Sequence, residues 1–464
     1  MRAAPLRSIA AVAFAAALSL PSGSAAAGQP PAAAGSARAP QVRNVIFMIP
    51  DGCGAAAVAL ARSFGGRPLT LDSMLVGAVE TGSASSRVTD SAAGATAYAS
   101  GVRTHNRVVG LDAAYRPVGT LLEAAQARGM RTGLVVRCPV TDATPAAFAA
   151  HAEVRTRADT IALQELDHRV DVMLGGGWPA FLPRAAGGDR ADGLDLLAEA
   201  RRRGFQVLSS TAELAGPLRT PLLGLFARED MAYEIDRDPA ADPGLAAMTM
   251  RALELLSKGP RGFFLMVEGS RIDHAAHEND AATMAREVLA FDAAVRAVVE
   301  FARRDGHTLV VSCTDHEAGG LSLGGHTDAG YAFLPESLFA QTASAGRMAD
   351  SIRAGGVPAA VVARFTGAAL TDEDRARLAA AAAADSGLLE TIGAIQARRA
   401  LASWGTTGHT AVDVGLYAFG PGAEHFRGWH TNAGVARRIA AVAGLDLDAA
   451  TARLARTAPG AAAR

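Results

Sequence analysis

Short, continuously apolar runs recur along this chain and alternate with longer segments of mixed character. Six of the runs predict strands, at residues 44–49, 131–136, 170–175, 262–267, 307–313 and 413–420. Runs of this length without polar alternation are typical of strands that are buried on both faces of a parallel sheet.

Helical spacing of apolar residues fills the intervals between the runs. Positions three and four residues apart predict helices at 118–128, 192–203, 244–257 and 280–304. The last of these helices carries one apolar stripe, formed by Met284, Val288, Phe291, Val295 and Val298. Strands that alternate with helices predict an α/β fold, with a doubly wound, mostly parallel central sheet flanked by helices.

One long interval departs from this alternation. Residues 372–402 are rich in alanine and charged residues, with consecutive alanines at 379–384, and they predict helices. Together with residues 328–371 they are interpreted as an insertion, over about 328–402, that forms a cap or crown on the core. The globular domain as a whole is expected over residues 42–460.

The composition excludes several classes of protein. Half of the 464 residues are apolar and 20% are charged, which is typical of a globular chain. The 45 Lys and Arg residues balance the 46 Asp and Glu residues, so no specific binding of nucleic acid and no basic membrane patch is expected. No stretch is apolar over the length of a membrane-spanning helix, so no membrane anchor is expected.

The N-terminal region has the features of a secretory signal. Arg2 and Arg7 precede a short apolar core, and the small residues at 25–27 offer a cleavage site. Residues 1–27 are therefore expected to be a signal peptide, followed by a linker at 28–41. An uncleaved anchor is the alternative, which the shortness of the apolar core disfavours. The mature protein is expected to be periplasmic or extracellular.

Three cysteines, Cys53, Cys138 and Cys313, lie in or beside the ends of predicted strands. An odd number of cysteines cannot all pair, and a buried cysteine commonly behaves as a small hydrophobic residue. We therefore expect three buried, unpaired thiols.

A stretch of small residues, VTDSAAGATA at 88–97, places Asp90 and Ser91 at the start of a predicted helix. Unpaired backbone N–H groups at such a start attract anions and favour an ionised Ser91. The plainer interpretation is that Asp90 or Ser91 is only the helix cap. Taken alone, the stretch favours the cap. A catalytic role for Ser91 therefore needs support from motifs elsewhere in the chain.

Polar residues collect where the predicted strands end. They follow the first, second, fourth and fifth strands, and they are Asp51, Asp142, Thr144, Glu268 and Asp315. In open α/β sheets, ligands bind beyond the carboxyl ends of the strands. Several carboxylates at one sheet edge repel each other unless cations neutralise them. The pattern therefore predicts a cation site at this edge.

Histidines strengthen the prediction of a cation site. Asp273 and His277 are four residues apart, so a helix places both on one face as half of a zinc site. His316 follows Asp315 directly, and His409 lies in a glycine-bounded loop before the last strand. Three histidines with several carboxylates fit Zn²⁺ together with a harder ion such as Mg²⁺. Ordinary structural roles are expected for five others, which are His105, His168, His307, His425 and His430.

Four motifs together resemble those of the alkaline phosphatase family, and they occur in the family's order. They are VTDSAAGATAYASGVRT, VEGSRIDHAAH, TDHEAGG and TGHTAVDVGLYAFGPGAE. The resemblance runs from about Asn44 to Arg438. It implies an enzyme that hydrolyses small phosphate monoesters to an alcohol and inorganic phosphate, with an alkaline pH optimum. Many relatives are homodimers, so the resemblance leaves a homodimer open.

The resemblance also implies roles for individual residues. Ser91 is implied to be the nucleophile that forms a phosphoserine intermediate, and Arg155 to hold two oxygens of the phosphate. Two zinc ions and one magnesium ion per chain are implied as cofactors. Their ligands are implied to be Asp273, His277 and His409 for one zinc ion, Asp51, Asp315 and His316 for the other, and Asp51, Thr144 and Glu268 for magnesium.

Three more residues are implied to support the site without binding the zinc ions. Asp142 and His274 stand at two positions whose residue type varies within the family, and both are expected near the magnesium site. Asp90, next to Ser91, is expected to orient the helix or Arg155, with a plain helix cap as the alternative.

Two other classes of function stay open at this stage. The first is a phosphodiesterase or a sulfatase on a related fold. A third metal site and an arginine that binds two phosphate oxygens argue against it, because they favour a dianionic phosphate monoester as substrate. The second is an exported protein that binds zinc or phosphate without catalysis. A binding protein needs no nucleophile, so Ser91 within its motif argues against this second class.

Overall fold

The computed structural model describes residues 42–457, and it contains a central sheet, several small two-stranded pairs and helices on both sheet faces. The predicted signal peptide and linker, and the last residues of the predicted domain, lie outside the described residues. The strands are β1 (Asn44–Ile49), β2 (Leu75–Glu80), β3 (Arg131–Pro139), β4 (Val172–Gly176), β5 (Gln206–Leu208), β6 (Leu222–Leu225), β7 (Phe263–Glu268), β8 (Thr308–Cys313), β9 (Glu317–Ala318), β10 (Ser322–Leu323), β11 (Gly325–Thr327), β12 (Gly330–Ala332), β13 (Ala402–Ser403), β14 (His409–Thr410), β15 (Val414–Phe419) and β16 (Gly428–Thr431).

The central sheet has ten strands in the order β16-β2-β15-β8-β1-β7-β3-β4-β6-β5. Neighbouring strands run parallel except at β15, which is antiparallel to both β2 and β8. All six strands predicted from apolar runs lie in this sheet, within three residues of the predicted ends. The predicted fold class, a mostly parallel α/β sheet flanked by helices, is therefore confirmed.

The helices connect the strands and cover the sheet. They are α1 (Ala55–Gly65), α2 (Ser91–Ser100), α3 (Leu121–Ala127), α4 (Ala143–Ala149), α5 (Ala158–Asp167), α6 (Leu196–Arg202), α7 (Thr211–Ala215), α8 (Leu245–Leu256), α9 (Arg271–His277), α10 (Ala281–Asp305), α11 (Glu336–Phe339), α12 (Ala345–Arg353), α13 (Pro358–Thr366), α14 (Asp372–Ala384), α15 (Leu388–Arg399), α16 (Asn432–Ala443) and α17 (Leu447–Thr457). The four helices predicted from apolar spacing are confirmed within a few residues. No helix in residues 42–457 is both long enough and apolar enough to cross a membrane.

Two hydrophobic cores lie on opposite faces of the sheet. Along β1, Ile46 and Met48 belong to one core, and Phe47 and Ile49 belong to the other. Alternate side chains of a strand point to opposite faces, so burial on both faces removes the polar alternation from the sequence. The apolar stripe predicted on α10 lies in the first core.

The strands of this central sheet that sequence analysis missed lie at or near its edges. β2 and β16 pair with each other at one edge, and β5 and β6 pair at the other. β2 is only partly buried, and Gly77 interrupts its apolar run. A Cβ atom at Gly77 would lie 2.0 Å from the carbonyl oxygen of Gly428, so the close pairing with β16 requires glycine there.

Residues 324–401, which we call the helical segment, contain α11 to α15. The helices α12 to α15 pack around a hydrophobic core of their own, whereas Leu338 of α11 belongs to the first core of the sheet. The core of the segment includes Met348, Leu378 and Ile395. The two ends of the segment meet, because β10 pairs with β13 and the backbone N–H of Gly324 donates to the carbonyl of Leu401 at 2.9 Å. The predicted helices over 372–402 are α14 and α15.

The three cysteines are buried and unpaired, as expected. Cys313 lies 2.8 Å from the hydroxyl of Tyr98. Cys138 lies beside Glu268, with its Sγ atom 3.4 Å from Oε2 of that carboxyl group. The thiols therefore fill space behind the sheet edge and form no disulfide.

The fold contains one buried carboxyl group that we expect to destabilise it. Glu165 on α5 is fully buried, and neither carboxyl oxygen has a hydrogen-bond partner among the described residues. Burial raises the pKa of Glu165 well above its usual value, so the group costs the folded state more as pH rises above about 4.5. Glu165→Leu should raise the free energy of unfolding by about 1–3 kcal/mol at pH 8.5, measured by urea unfolding.

The gain from Glu165→Leu should be smaller at pH 5.5, because protonating this carboxylate on folding costs less free energy at lower pH. Glu165→Gln is the matched control, because it removes the charge but keeps the buried polar group. A Leu variant that is no more stable than the wild type at pH 8.5 would contradict this account of Glu165.

Candidate active site

The carboxyl ends of three adjacent central strands, β1, β7 and β8, bring three of the predicted acids together. Asp51 follows β1, Glu268 is the last residue of β7, and Asp315 follows β8. The register pairs Ile49 with Glu268 and Met48 with Ser312, so the strands end at the same level. All three carboxyl groups are buried. The parallel topology therefore concentrates negative charge at one point of the sheet edge.

Asp51, Asp315 and His316 form a cluster of three ligand-type side chains, here called the Asp51 cluster. His316 Nε2 lies 3.4 Å from Asp51 Oδ1 and 3.5 Å from Asp315 Oδ2. The three ligand atoms lie within 4.8 Å of one another, and all three residues are buried. The spacing is that of groups around a common ion.

Asp273, His277 and His409 form a second such cluster, here called the Asp273 cluster. Asp273 and His277 are four residues apart on α9, and Asp273 Oδ2 lies 3.1 Å from His277 Nε2. His409 reaches the cluster from the loop before β15, with its Nε2 3.6 Å from Asp273 Oδ1 and 3.1 Å from His277 Nε2. The helix spacing used in the prediction places the pair on one face.

Backbone carbonyls fix both histidines of the Asp273 cluster. His277 Nδ1 lies 2.5 Å from the carbonyl oxygen of Thr407, and His409 Nδ1 lies 2.9 Å from that of Thr89. A carbonyl oxygen only accepts, so each Nδ1 carries a hydrogen, and in the neutral ring Nε2 is the nitrogen that can bind a metal ion. Metal-binding histidines are commonly held in this way.

The two clusters are close together because the chain between them has no side chain at Gly52. A Cβ atom there would lie 2.7 Å from the Cα atom of Asp273, and the φ angle of Gly52 is +73°. Both the space and the backbone conformation therefore favour glycine at this position. His316 and His409 stack with ring centroids 3.5 Å apart and connect the clusters.

Ser91 is the first residue of α2, as predicted, and Asp90 is its N-cap. Asp90 Oδ1 accepts a hydrogen bond from the backbone N–H of Ala93 at 3.0 Å. Ser91 is buried, and its Oγ lies 3.1 Å from Nε2 of His316. The capping interpretation is correct for Asp90, and the cap leaves the Ser91 hydroxyl beside the Asp51 cluster.

Arg155 lies between two carboxyl groups at this site. Its Nη2 donates to Asp142 Oδ1 at 3.0 Å, and its Nη1 lies 3.5 Å from Asp90 Oδ2. Burial alone would lower the pKa of Arg155, but the negative charges of Asp142, Asp90 and Asp51 together raise it above its usual value, so the guanidinium group stays charged. Asp90 therefore caps α2 and also contacts Arg155.

The remaining predicted residues lie around the same edge. Thr144 is buried in the first turn of α4, whose N-cap is Asp142. His274 on α9 has its Nδ1 2.5 Å from Nη1 of Arg271 and 3.4 Å from a carboxyl oxygen of Asp230. The predicted site residues thus lie at the end of β7 or on the loops, the short strand β14 and the helices beyond the sheet edge.

The charges of the site are unfavourable for the protein alone. Burial, together with the charges of Asp315 and Asp273, holds the pKa of Asp51 well above its usual value. Burial raises the pKa of Asp315 to about 7, and burial with the charge of Asp142 raises that of Glu268 to about 8. Carboxyl groups with these pKa values resist ionisation until a cation compensates the charge.

The residues present fit divalent cations. Four buried ligand-type atoms have no hydrogen-bond partner among residues 42–457: Asp51 Oδ1, Asp273 Oδ1, Asp315 Oδ2 and His316 Nδ1. Buried polar atoms are nearly always satisfied in folded proteins, and three of these four are carboxylate oxygens of the two clusters. Mixed imidazole and carboxylate ligands suit zinc.

Sequence analysis missed the groups that hold the histidines. Glu317, next to His316, accepts a hydrogen bond from the hydroxyl of Thr410 and one from the backbone N–H of Gly320 at 3.0 Å. It thereby fixes the β9–β14 pair, which places His409 opposite Ala318. The signal for Glu317 was its position within the TDHEAGG motif, whereas no side-chain pattern marks the carbonyls of Thr89 and Thr407.

This fold and this site define a class of metal-dependent hydrolase with a serine beside clustered metal ligands. The alkaline phosphatase family model matches residues 42–445. The chain is 38% identical over 428 residues to the repressible alkaline phosphatase of Saccharomyces cerevisiae, which covers 81% of this chain and 76% of the yeast protein. The chain therefore belongs to the alkaline phosphatase family, whose members are metal-dependent hydrolases of phosphate monoesters.

Solved structures agree with this assignment. The cold-active alkaline phosphatase of a psychrophilic Shewanella species superposes with a TM-score of 0.78 at 34% identity, over 86% of this chain and 99% of that one. A variant of the alkaline phosphatase from the Antarctic bacterium TAB5 superposes with a TM-score of 0.66 at 26% identity, over 88% of this chain and 100% of that one. The chain is an alkaline phosphatase, which removes the diesterase, sulfatase and non-catalytic alternatives.

Removal of divalent cations should destabilise the protein more at high pH than at low pH. Asp315 and Glu268 keep protons in the folded state up to pH values near 7 and 8, whereas the unfolded chain loses them near its ordinary pKa values. The folded state then binds more protons, so stability falls as pH rises between about 4 and 8. We expect the melting temperature of the chelated protein to drop by about 5 °C or more across this range.

Addition of Zn²⁺ and Mg²⁺ at pH 8.5 should restore the melting temperature, because the cations replace the protons as partners of the carboxylates. The same titration at pH 5.5 is the control and should give a smaller gain. A chelated protein whose stability is flat or rises over this pH range would contradict the charge balance described above.

Proposed function

We propose that Ser91 is the nucleophile of this phosphatase and that the two clusters hold zinc. The observation that carries the proposal is the position of Ser91 Oγ, buried at the start of α2 and 3.1 Å from His316 Nε2. In the proposal, the Asp273 cluster holds one zinc ion and the Asp51 cluster holds the other. Asp51, Thr144 and Glu268 hold one magnesium ion.

The proposed reaction has two displacements at phosphorus. Ser91 Oγ forms a bond to phosphorus while the ester P–O bond breaks, which releases the alcohol and leaves phosphoserine. Water then attacks the phosphoserine, which releases inorganic phosphate and restores the Ser91 hydroxyl. Zinc ions, when bound, supply Lewis-acid stabilisation of the entering and leaving oxygens and favour an ionised serine.

The chain itself contributes fixed donors for the phosphate. Ser91 stands at the start of α2, where the helix dipole favours negative charge. Arg155 supplies planar N–H donors that suit two phosphate oxygens at once. Asp90 and Asp142 hold the guanidinium group in place before substrate binds, so little conformational freedom is lost on binding.

Two observations support magnesium at the site of Asp51, Thr144 and Glu268. One is the nearby carboxyl group of Asp142, and the other is the solved structure of a related enzyme. Asp142 lies close enough to Glu268 to raise its pKa, and both are oxygen ligands of the type magnesium prefers. The TAB5 variant, in which aspartate replaces a histidine, has Mg bound in its M3 site. In the proposal, Asp142 and His274 adjust this site and the phosphate position without binding zinc.

The proposal also places the enzyme outside the cytoplasm. The charged start, apolar core and small residues at 1–27 support export to the periplasm or the medium. The substrates are small phosphomonoesters, with no nucleic-acid-specific binding and no membrane anchor. A homodimer, as in many members of the family, is carried forward as an expectation from the resemblance.

Ser91→Ala should abolish turnover and leave the fold intact. Removal of the nucleophile should lower kcat for p-nitrophenyl phosphate by more than about a thousandfold. Ser100→Ala, at the other end of the same helix, is the matched control and should keep near-normal activity. Zinc and magnesium content should match the wild type in both variants, and turnover of Ser91→Ala within tenfold of wild type would exclude Ser91 as nucleophile.

Arg155→Ala should mainly weaken phosphate binding. Loss of a charge-assisted pair of hydrogen bonds should cost about 2–4 kcal/mol, so the inhibition constant for inorganic phosphate should rise about 30-fold or more. Arg157→Ala is the control, since Arg157 is exposed and pairs with Asp159. An unchanged inhibition constant in Arg155→Ala would exclude the phosphate-binding role.

A further inference from the structure

A third group of ligand-type side chains lies outside the active site. Glu123 on α3, His151 after α4 and His168 at the end of α5 form what we call the Glu123 cluster. Glu123 Oε1 lies 3.1 Å from His151 Nε2 and 3.9 Å from His168 Nδ1. All three ligand atoms lie within 4.8 Å of one another.

Hydrogen bonds at the outer atoms turn the inner atoms of Glu123 and His151 toward each other. His151 Nδ1 donates to the carbonyl of Gly110 at 2.6 Å, which leaves Nε2 facing the cluster. Glu123 Oε2 accepts from the backbone N–H of Thr120 at 2.9 Å, which leaves Oε1 facing the cluster. Such outer bonds fix the ring orientation and tautomer of metal ligands.

His168 is the group that a simple ion pair does not explain. An imidazolium on His151 would satisfy Glu123, but His168 Nδ1 is buried and has no hydrogen-bond partner among the described residues. Burial lowers the pKa of His168 below its usual value, so the ring is neutral and can carry its lone pair on Nδ1. A buried nitrogen with a free lone pair needs a partner, which is either a hydrogen-bond donor or a metal ion.

The surrounding backbone is fixed by two glutamine side chains. Gln164 accepts from the backbone N–H of His151 at 2.7 Å and donates to its carbonyl at 2.9 Å. Gln126 donates to the carbonyl of His168 at 2.8 Å. The ligand-type groups therefore stand on three separate elements that are already held at the required separations, which lowers the cost of binding an ion.

We propose that the Glu123 cluster binds one zinc ion, separate from the ions of the active site. Two imidazoles and one carboxylate are a common set of three protein ligands for zinc, with water as the fourth. Magnesium and calcium prefer oxygen ligands throughout and fit this set poorly. The side chains of Glu123, His151 and His168 are 12%, 10% and 23% exposed, so the cluster lies just below the protein surface.

The zinc ion would cross-link the segment that leads to Arg155. Asp142 and Thr144 lie at the start of α4, and His151 lies just beyond its end. Arg155 follows four residues later and is tied to Arg107 by a backbone hydrogen bond of 2.8 Å. An ion on the Glu123 cluster therefore joins α3 and α5 to the chain that carries the active-site arginine.

Zinc content measured on the purified enzyme tests the proposal. Apoenzyme is loaded from a buffer of fixed micromolar free Zn²⁺, and the bound zinc is counted per chain by plasma mass spectrometry. His168→Phe keeps an aromatic ring and breaks no hydrogen bond of Nδ1, and Glu123→Gln keeps the carbonyl that caps α3. Each variant should hold one zinc ion fewer per chain than the wild type, whatever the active site binds.

His425→Ala is the matched control, because His425 also lies beside a carboxylate, Glu424, but belongs to no group of three ligand-type side chains among the described residues. It should hold as much zinc as the wild type. Equal zinc in the wild type and in both cluster variants overturns the proposal, and so does an equal loss in the control. Zinc-edge anomalous diffraction from wild-type crystals should show a peak about 2.0–2.2 Å from the three ligand atoms, and no peak there overturns it as well.

Discussion

Repulsion between buried carboxylates at one edge of a parallel sheet is the constraint on which the rest of this structure depends. Three central strands end side by side, and each delivers an acid to the same small volume. The protein alone can hold these groups only by protonating some of them. Bound cations would neutralise the carboxylates without protonating them. The histidines add further ligand atoms, Gly52 lets the two clusters approach, and the backbone carbonyls hold the histidine rings in place.

Much of the supporting structure serves to hold single atoms at this edge. Asp90 caps the helix of Ser91 and also contacts Arg155, so one carboxylate links the start of this helix to the guanidinium group. Glu317 has a comparable double function, because it ties two short strands together and thereby sets the position of His409. Rigid positions of this kind are what electrostatic catalysis requires, since the charges must be in place before the reaction starts.

The sequence predicted the central strands of the sheet but not the strands at or near its edges. Central strands such as β1 are buried on both faces, so their apolar runs are continuous and easy to recognise, whereas β2 is half exposed and interrupted by Gly77. The positions of Asp273 and His277 followed from helix periodicity. The contact of Glu123 with His151 and His168 did not, because tertiary packing alone brings three distant segments together. The other candidate site residues were predicted from the resemblance of four motifs to those of the alkaline phosphatase family.

The closed ends of the helical segment have a consequence for how this enzyme can diversify. Its first and last residues lie next to each other, and α12 to α15 pack around a core that is separate from the two cores of the sheet. Additions or deletions of whole helices between these ends cost little loop entropy and leave the strand ends where they are. Evolution and protein engineering can therefore exchange helices of this segment while the ends of the central strands stay in place.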